Sequence, residues 1–226
     1  MKKKFSLTTT QIIMLSFLAV IFLGSLLLSL PVSSASGDAV PYLDALFTAT
    51  TATCVTGLVT LPTVTTWSVF GQTVILILIQ VGGLGVMTIT SFFALFFMGG
   101  TGLYDQFALR DMLGSDTLSS LMSTLLYILG FTIGIEAIGA LAIWLSIHGT
   151  MGISASNELL FSIFHSISAF CNAGFSTLNN NLGNAMIIQN HGGFYLSISA
   201  LIILGGIGFP ILVNLKNALF YSVKYG

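Results

Sequence analysis

The stretch TTATCVTGLVTLP, from Thr50 to Pro62, lies between two strongly apolar segments and carries almost no side-chain chemistry. It contains no acid, base or charge, and its polar side chains are threonines and one cysteine. The useful groups are the backbone carbonyls, which can replace the water around a cation. Gly57 permits backbone angles, or a close approach, that a side chain would obstruct. The stretch therefore predicts cation binding by the main chain.

A second stretch repeats the first. ALFTATTATCVTGL at 45–58 aligns without gaps on SIFHSISAFCNAGF at 162–175, and this alignment pairs Gly57 with Gly174. Self-similarity of this kind indicates two copies of one structural unit. We expect both loops to line one cation path with their carbonyls. The predicted ion-binding residues are Thr53, Cys54, Val55, Thr56, Gly57, Phe170, Cys171, Asn172, Ala173 and Gly174.

The composition indicates a polytopic membrane protein. Hydrophobic residues make up 55% of the chain and charged residues only 6%. Because a bilayer requires every backbone group to be satisfied internally, we expect an all-α fold. The net charge of -1 argues against a nucleic-acid partner. The chain has no HExxH or GxSxG motif, so we expect neither an enzyme nor a cofactor.

Four apolar runs are long enough to cross a bilayer, which takes roughly 20 residues. The predicted spans are 11–31, 71–98, 118–147 and 193–215. The first follows MKKK and has the outline of a signal peptide. However, its 19-residue apolar run from Ile12 to Leu30 is longer than the roughly 7 to 15 residues of a signal core. We therefore predict that it spans the membrane.

Two weaker segments, at 42–53 and 157–170, are predicted to be half-helices. About three turns of helix cover close to 18 Å, little more than half of a ~30 Å hydrocarbon core. Such a helix has to return to the side from which it entered. The returns are the irregular filter loops at 54–58 and 171–175, which are tolerated at this depth only inside protein or along a water-filled path.

The chain is therefore divided into a first repeat at 1–98, a linker at 99–117 and a second repeat at 118–226. Each repeat crosses the membrane twice, so the two are parallel rather than inverted. Basic residues lie on one side only, which the positive-inside rule makes cytoplasmic for the N-terminus, the linker and the C-terminus. These residues are Lys2, Lys3, Lys4, Arg110, Lys216 and Lys224.

Glu136 lies inside the third span, where an ionisable group is by default a functional hypothesis. It can accept hydrogen bonds from filter amides or from His165 and so support the second loop from behind. The alternative is a protonated or water-exposed glutamate with no role in transport. His165 is interpreted as a structural, hydrogen-bonded histidine. Glu158 suits the positive end of its half-helix, and we expect His148 to face water.

Several motifs resemble the Trk/Ktr/HKT superfamily of potassium transporters, and within it the KtrB type of membrane subunit. They are TxxTCVTGL, CNAGF, QVGGLG, GGIGF and the FGQ at the start of the second span. The resemblance covers nearly all 226 residues. It implies four such repeats around a potassium path, subunit dimers and a cytosolic nucleotide-binding regulatory ring. In the plant branch, serine at the first filter position marks sodium-permeable members.

The chain departs from this pattern because it carries two repeats rather than four, and it lacks the family's gating loop in the third repeat. Either it is the N-terminal half of a longer subunit, or two copies meet around one pore. The differing loops favour the half-subunit. The expected function is potassium uptake across the plasma membrane. The alternatives are a sodium-permeable or sodium-coupled transporter and a non-conducting membrane scaffold fragment.

Overall fold

The computed structural model describes residues 9–98, 118–149, 154–178, 182 and 192–207. The predicted linker at 99–117 and residues 208–215 of the predicted fourth span lie outside these residues. The regular elements within them are α1 (Thr9–Leu28), a 3-10 turn (Pro31–Ser33), α2 (Tyr42–Thr53), α3 (Thr63–Thr66), α4 (Val69–Met98), α5 (Leu118–Ile147), α6 (Ala155–Phe170) and α7 (Gly192–Ile207).

The chain forms two compact units. The first lies within Met1–Gly83 and Ala173–Ala185, and the second within Leu84–Asn172 and Met186–Gly226. In the first unit, α1 packs on α2. In the second unit, α5, α6 and α7 all pack on one another. Each unit therefore builds its own core around one short helix.

The segment between α1 and α4 is a defined structure that leads into and out of α2. The backbone amide of Ala35 donates to the carbonyl of Thr66 at 2.9 Å, and that of Ser68 donates to Ser33 at 2.9 Å. Trp67 lies between Thr66 and Ser68 in this hydrogen-bonded segment, and it is only 1% exposed. Burial of so large a ring fixes the two ends of the loop segment relative to each other.

The two short helices have identifiable start signals. Pro41 precedes α2 with extended angles, which suits a residue that cannot donate a backbone hydrogen bond. Ser154 precedes α6, and its hydroxyl accepts a hydrogen bond from the amide of Asn157 at 3.4 Å. This cap starts α6 at Ala155, two residues before the predicted start at 157. The helix over Tyr42–Thr53 has the predicted bounds.

Large apolar side chains remain exposed on the longer helices. On α5, Ile138 is 71% exposed and Leu145 is 65% exposed, while on α1 Leu23 is 60% exposed. Within the described residues, one helical run, Ile128–Ile147, is both long and apolar enough to cross a bilayer. Shorter apolar helical runs cover Met14–Leu28, Val69–Gly85 and Gly192–Ile207. Exposed faces of this kind suit an apolar solvent.

Candidate functional site

The first loop begins with a tight helix cap. Beyond the end of α2, Cys54 takes right-handed helical angles. The amide of Val55 then donates to the carbonyl of Ala52 at 3.3 Å, and that of Thr56 donates to Thr51 at 2.9 Å. These two bonds form a Schellman motif, in which the residue at the Val55 position is left-handed. The cap satisfies two carbonyls of the last turn and ends the helix.

Both loops share one pattern of backbone angles. In the first loop φ is +56° at Val55 and +74° at Gly57, and in the second it is +57° at Asn172 and +70° at Gly174. The capping cysteine of each loop is right-handed, with φ of -84° in the first and -72° in the second. The two loops therefore share the same sequence of φ signs, with left-handed residues at the second and fourth positions.

Val55 is the strained member of this set. Asparagine visits the left-handed region routinely, whereas a β-branched residue is a genuine outlier there. Such strain costs on the order of 1–3 kcal/mol and persists only where the surroundings impose it. The Schellman bonds on either side of Val55 provide that constraint.

Thr51 connects the first loop to α2, although it is not among the site residues predicted from the sequence. Its hydroxyl is hydrogen-bonded to the hydroxyl of Thr56 and also accepts from the amide of Leu58 at 3.0 Å. Because one side chain contacts the middle and the end of the loop, its loss would free the backbone between Thr56 and Leu58. The only sign of this role in the sequence is that Thr51 is a hydroxyl-bearing residue in the last turn of α2.

Gly57 makes a close approach that any side chain would disturb. A Cβ atom added to Gly57 would lie 2.7 Å from the carbonyl oxygen of Ala173 and 3.1 Å from the Cα of Gly174. Both neighbours belong to the same compact unit as Gly57. The two glycines paired by the internal alignment are therefore adjacent in space.

Two of the predicted ion-binding carbonyls lie against glycines of the longer helices. The carbonyl oxygen of Thr53 lies against Gly82 of α4, and that of Phe170 lies against Gly205 of α7. Both were predicted to face the ion. In the structure each is directed at the helix that follows its loop, because the glycine there leaves room for an oxygen.

Glu136 contacts the second loop through the side chain of Cys171. The thiol of Cys171 donates to Oε1 of Glu136 at 3.8 Å, and the hydroxyl of Ser166 donates to its backbone carbonyl at 2.7 Å. Glu136 is 6% exposed. His165 donates from Nδ1 to the carbonyl of Phe161 at 2.9 Å within α6. The region behind the second loop is thus a buried polar cluster.

Glu158 joins two helices, in addition to the dipole role expected for it from the sequence. Its carboxylate accepts from Nδ1 of His148 at 2.9 Å and from the amide of Gly149 at 3.0 Å. Glu158 is 1% exposed, whereas the His148 side chain is half exposed. The carboxylate therefore caps the chain leaving α5 and ties it to the start of α6.

Glu158→Ala is expected to lower the free energy of unfolding by about 2 kcal/mol, since hydrogen bonds to a charged group contribute roughly 1.5–3 kcal/mol. Glu158→Gln keeps one acceptor and should lose less. Asp44→Ala is the matched control, because Asp44 is the acidic residue in the first turn of α2 and should contribute less than about 1 kcal/mol through the helix dipole. Thermal unfolding in detergent measures all three. Equal losses for Asp44→Ala and Glu158→Ala would contradict the role of the Glu158 carboxylate in tying α5 to α6.

Apolar exposed helices combined with loops that carry main-chain acceptors are features of membrane proteins that handle cations. The family model TrkH, described as cation transport protein, matches residues 3–226. The chain belongs to this family. Membership makes it an integral membrane protein of a transporter family rather than an enzyme.

Three relatives illustrate the match. The potassium/sodium uptake protein NtpJ of Enterococcus hirae is 39% identical over 218 residues, which covers 96% of this chain and 47% of the relative. Ktr system potassium uptake protein B of Bacillus subtilis is 39% identical over 214 residues, covering 94% of this chain and 46% of the relative. Ktr system potassium uptake protein D of the same organism is 32% identical over 220 residues, covering 95% and 47%. The chain spans about half the length of these curated relatives.

Proposed function

We propose that this chain forms part of a potassium-uptake pore in the plasma membrane and selects its ion with backbone carbonyls of the two loops. The observation that carries the proposal is the shared alternation of φ at 54–57 and 171–174, in loops that are aligned in the sequence. A potassium ion that sheds its water needs several oxygens at once, and such a backbone can supply them from consecutive residues.

The short helices add to the attraction for a cation. The C-terminal ends of α2 and α6 lead directly into the loops, and a helix C-terminus carries a partial negative charge. No acidic side chain is then required in the loop. A site built this way keeps its partial charge across the physiological pH range, because peptide groups do not titrate there.

The proposed ion-lining set begins at the capping cysteines. Thr53 and Phe170 are directed at α4 and α7, so we assign the ion-facing carbonyls to Cys54, Val55 and Thr56 in the first loop. The corresponding carbonyls of the second loop are those of Cys171 and Asn172, because the Ala173 oxygen lies against Gly57. Gly57 follows the ion-facing residues of the first loop, and Gly174 occupies the aligned position in the second loop. Glu136 and His165 support the second loop from the buried side and do not bind the ion.

Sodium transport is the second candidate function. The name of the Enterococcus hirae relative includes both potassium and sodium. The two ions differ in size and in the number of oxygens they prefer, and a backbone loop discriminates through the number and spacing of its carbonyls. Rubidium and sodium uptake measured side by side in the same cells would separate a potassium-selective pore from a sodium-permeable or sodium-coupled one.

The proposed pore needs more loops than the two that this chain supplies. Either a longer subunit supplies the other loops, or a second copy of this chain does. The names of two relatives refer to proteins of a Ktr system, which supports an assembly of several subunits. We propose a subunit dimer that binds a cytosolic nucleotide-binding ring, with the N-terminus, residues 99–117 and the C-terminus in the cytoplasm.

Growth of a potassium-uptake-deficient cell at low potassium tests the proposal. The chain is expressed alone, and as a longer polypeptide that continues to the length of its relatives. We expect growth at low potassium from the longer form. If the longer form reaches the membrane and gives neither growth nor potassium uptake, the chain is a non-conducting scaffold and the proposed function is wrong.

A further inference from the structure

The last carbonyl of α2 presses against a glycine of α4. A Cβ atom added to Gly82 would collide with the carbonyl oxygen of Thr53, and would lie 2.7 Å from its carbonyl carbon and 3.1 Å from its Cα. Because the oxygen is nearest and the Cα farthest, the carbonyl points at the glycine. This carbonyl belongs to the last residue before the first loop.

The second unit contains the equivalent contact. A Cβ atom on Gly205 would collide with the carbonyl oxygen of Phe170, at the end of α6, and would lie 2.8 Å from its carbonyl carbon. It would also lie 3.1 Å from the amide nitrogen of the Asn172 side chain. Gly82 and Gly205 occupy the same position in VGGLG and LGGIG. Two units described separately thus use the same contact at the same place.

Simple close packing of helices does not explain which glycine is used. Small residues in membrane helices commonly let backbones approach, and on that account both glycines of the pair would matter. Gly206, next to Gly205, is exposed, and a Cβ there would meet only the Asn172 side chain at 3.9 Å. In this second pair the demand for glycine is therefore confined to the position that receives the carbonyl.

We propose that Gly82 and Gly205 are positioning residues that set the depth of the two loops, and thereby their ion selectivity, by receiving the last carbonyl of α2 and α6. This inference rests on the proposed function for its effect on selectivity. Its structural part concerns only the contact between each glycine and its carbonyl. The residue following each received carbonyl is the first proposed ion-lining residue, so a displaced carbonyl moves the loop directly.

Gly205→Ala must push the Phe170 carbonyl away by on the order of 1 Å to restore an ordinary contact distance. Cys171 follows Phe170, is 8% exposed and donates to Glu136. Displacement should break that hydrogen bond and expose the thiol. Gly206→Ala is the matched control, since it introduces the same methyl group one residue away on the same helix.

The first measurement does not depend on transport. Native membranes containing wild type, Gly205→Ala or Gly206→Ala are treated with a maleimide, and labelling of Cys171 over time is followed by mass spectrometry. We expect labelling to be at least about fivefold faster in Gly205→Ala, because thiol reactivity follows accessibility, and unchanged in Gly206→Ala. Equal labelling rates in the two variants would overturn the inference.

The second measurement is the ratio of rubidium to sodium uptake by the longer polypeptide. We expect this ratio to fall by about tenfold in Gly205→Ala and Gly82→Ala, because selectivity depends on carbonyl spacing, and to stay unchanged in Gly206→Ala. A wild type without selective uptake contradicts the proposed function, whereas the labelling result still decides the contact. If Gly82→Ala and Gly205→Ala both fail to fold while Gly206→Ala folds, the two glycines serve folding rather than loop position, and the inference is wrong.

Discussion

Gly57→Ser is expected to reduce the preference for potassium over sodium by about tenfold or more while the protein still folds. Two features of the position produce this effect. The residue has φ of +74°, and its added Cβ would lie 2.7 Å from the carbonyl oxygen of Ala173. The backbone must shift to relieve both, and the carbonyls that we assign to ion binding are part of that backbone.

The folding cost should be modest by comparison. A non-glycine residue in the left-handed region costs roughly 1–2 kcal/mol. Gly37→Ser is the matched control: Gly37 has φ of +80°, but a Cβ there would have no atom within 4 Å. It therefore carries the same backbone strain without the contact. Gly37→Ser should lose stability and keep its selectivity.

Gly174→Ser is expected to act in the same direction and more weakly. Its φ is +70°, and an added Cβ would lie 3.2 Å from the Cα of Gly57, which is tight without being a collision. Uptake of rubidium and sodium by well-expressed variants measures the ratio. If Gly57→Ser and Gly37→Ser retain equal selectivity, residue 57 is not part of the selecting backbone.

The helices could be predicted from the sequence because their signals are local. Tyr42–Thr53 follows a proline and ends where the threonine-rich stretch meets glycine, and Leu118–Ile147 is a long apolar run. Cap geometry is also local, yet it depends on which of several side chains bonds the first amides. Ser154 provides the cap of α6, and the helix therefore starts two residues before the predicted start at 157.

The direction of individual carbonyls could not be predicted, because it depends on contacts between segments far apart in the chain. Nothing in the threonine-rich stretch indicates that the Thr53 oxygen meets Gly82, since the two are separated by 29 residues. The same holds for Glu158. Its first-turn position suggested a dipole role, whereas the chain leaving α5 folds over it and buries the carboxylate.

Val55 illustrates a different limit. Sequence reasoning places left-handed backbone at glycine and asparagine, which fits Gly57, Asn172 and Gly174. It does not place it at valine, because a β-branched side chain disfavours that region. The Schellman bonds impose the conformation on Val55, and the internal alignment with Asn172 was the one available signal. The backbone pattern that both loops share therefore outweighs the conformational preference of Val55.

A single copy of this chain is expected to give no selective potassium flux. It supplies two loops, and two loops offer at most part of the oxygen shell that a dehydrated cation requires. The remaining side would face lipid or a partner, and lipid offers no acceptors. Lipid on that side would also leave the polar backbone of the loops unsatisfied. An isolated copy should therefore be closed to ions as well as incomplete.

The measurement uses the chain purified in mild detergent, with its mass determined by light scattering. It is then reconstituted at about one copy per liposome, and rubidium flux is compared with that of the longer polypeptide. We expect flux from the longer form alone. Selective flux from verified single copies would refute a pore that needs loops from elsewhere.

The dependence of flux on protein density distinguishes the two ways of supplying the missing loops. If two copies of these 226 residues meet around one pore, flux per liposome should rise with roughly the square of the chain density at low density, because the active species forms by association. If a longer subunit supplies the loops, the chain alone should stay inactive at every density, while flux from the longer form rises in proportion to its amount.

The two loops differ at Val55 and Asn172, so a pore made of two identical copies would alternate between two kinds of loop. Four distinct loops in one longer subunit allow each position around the pore to differ, and we expect the linear result.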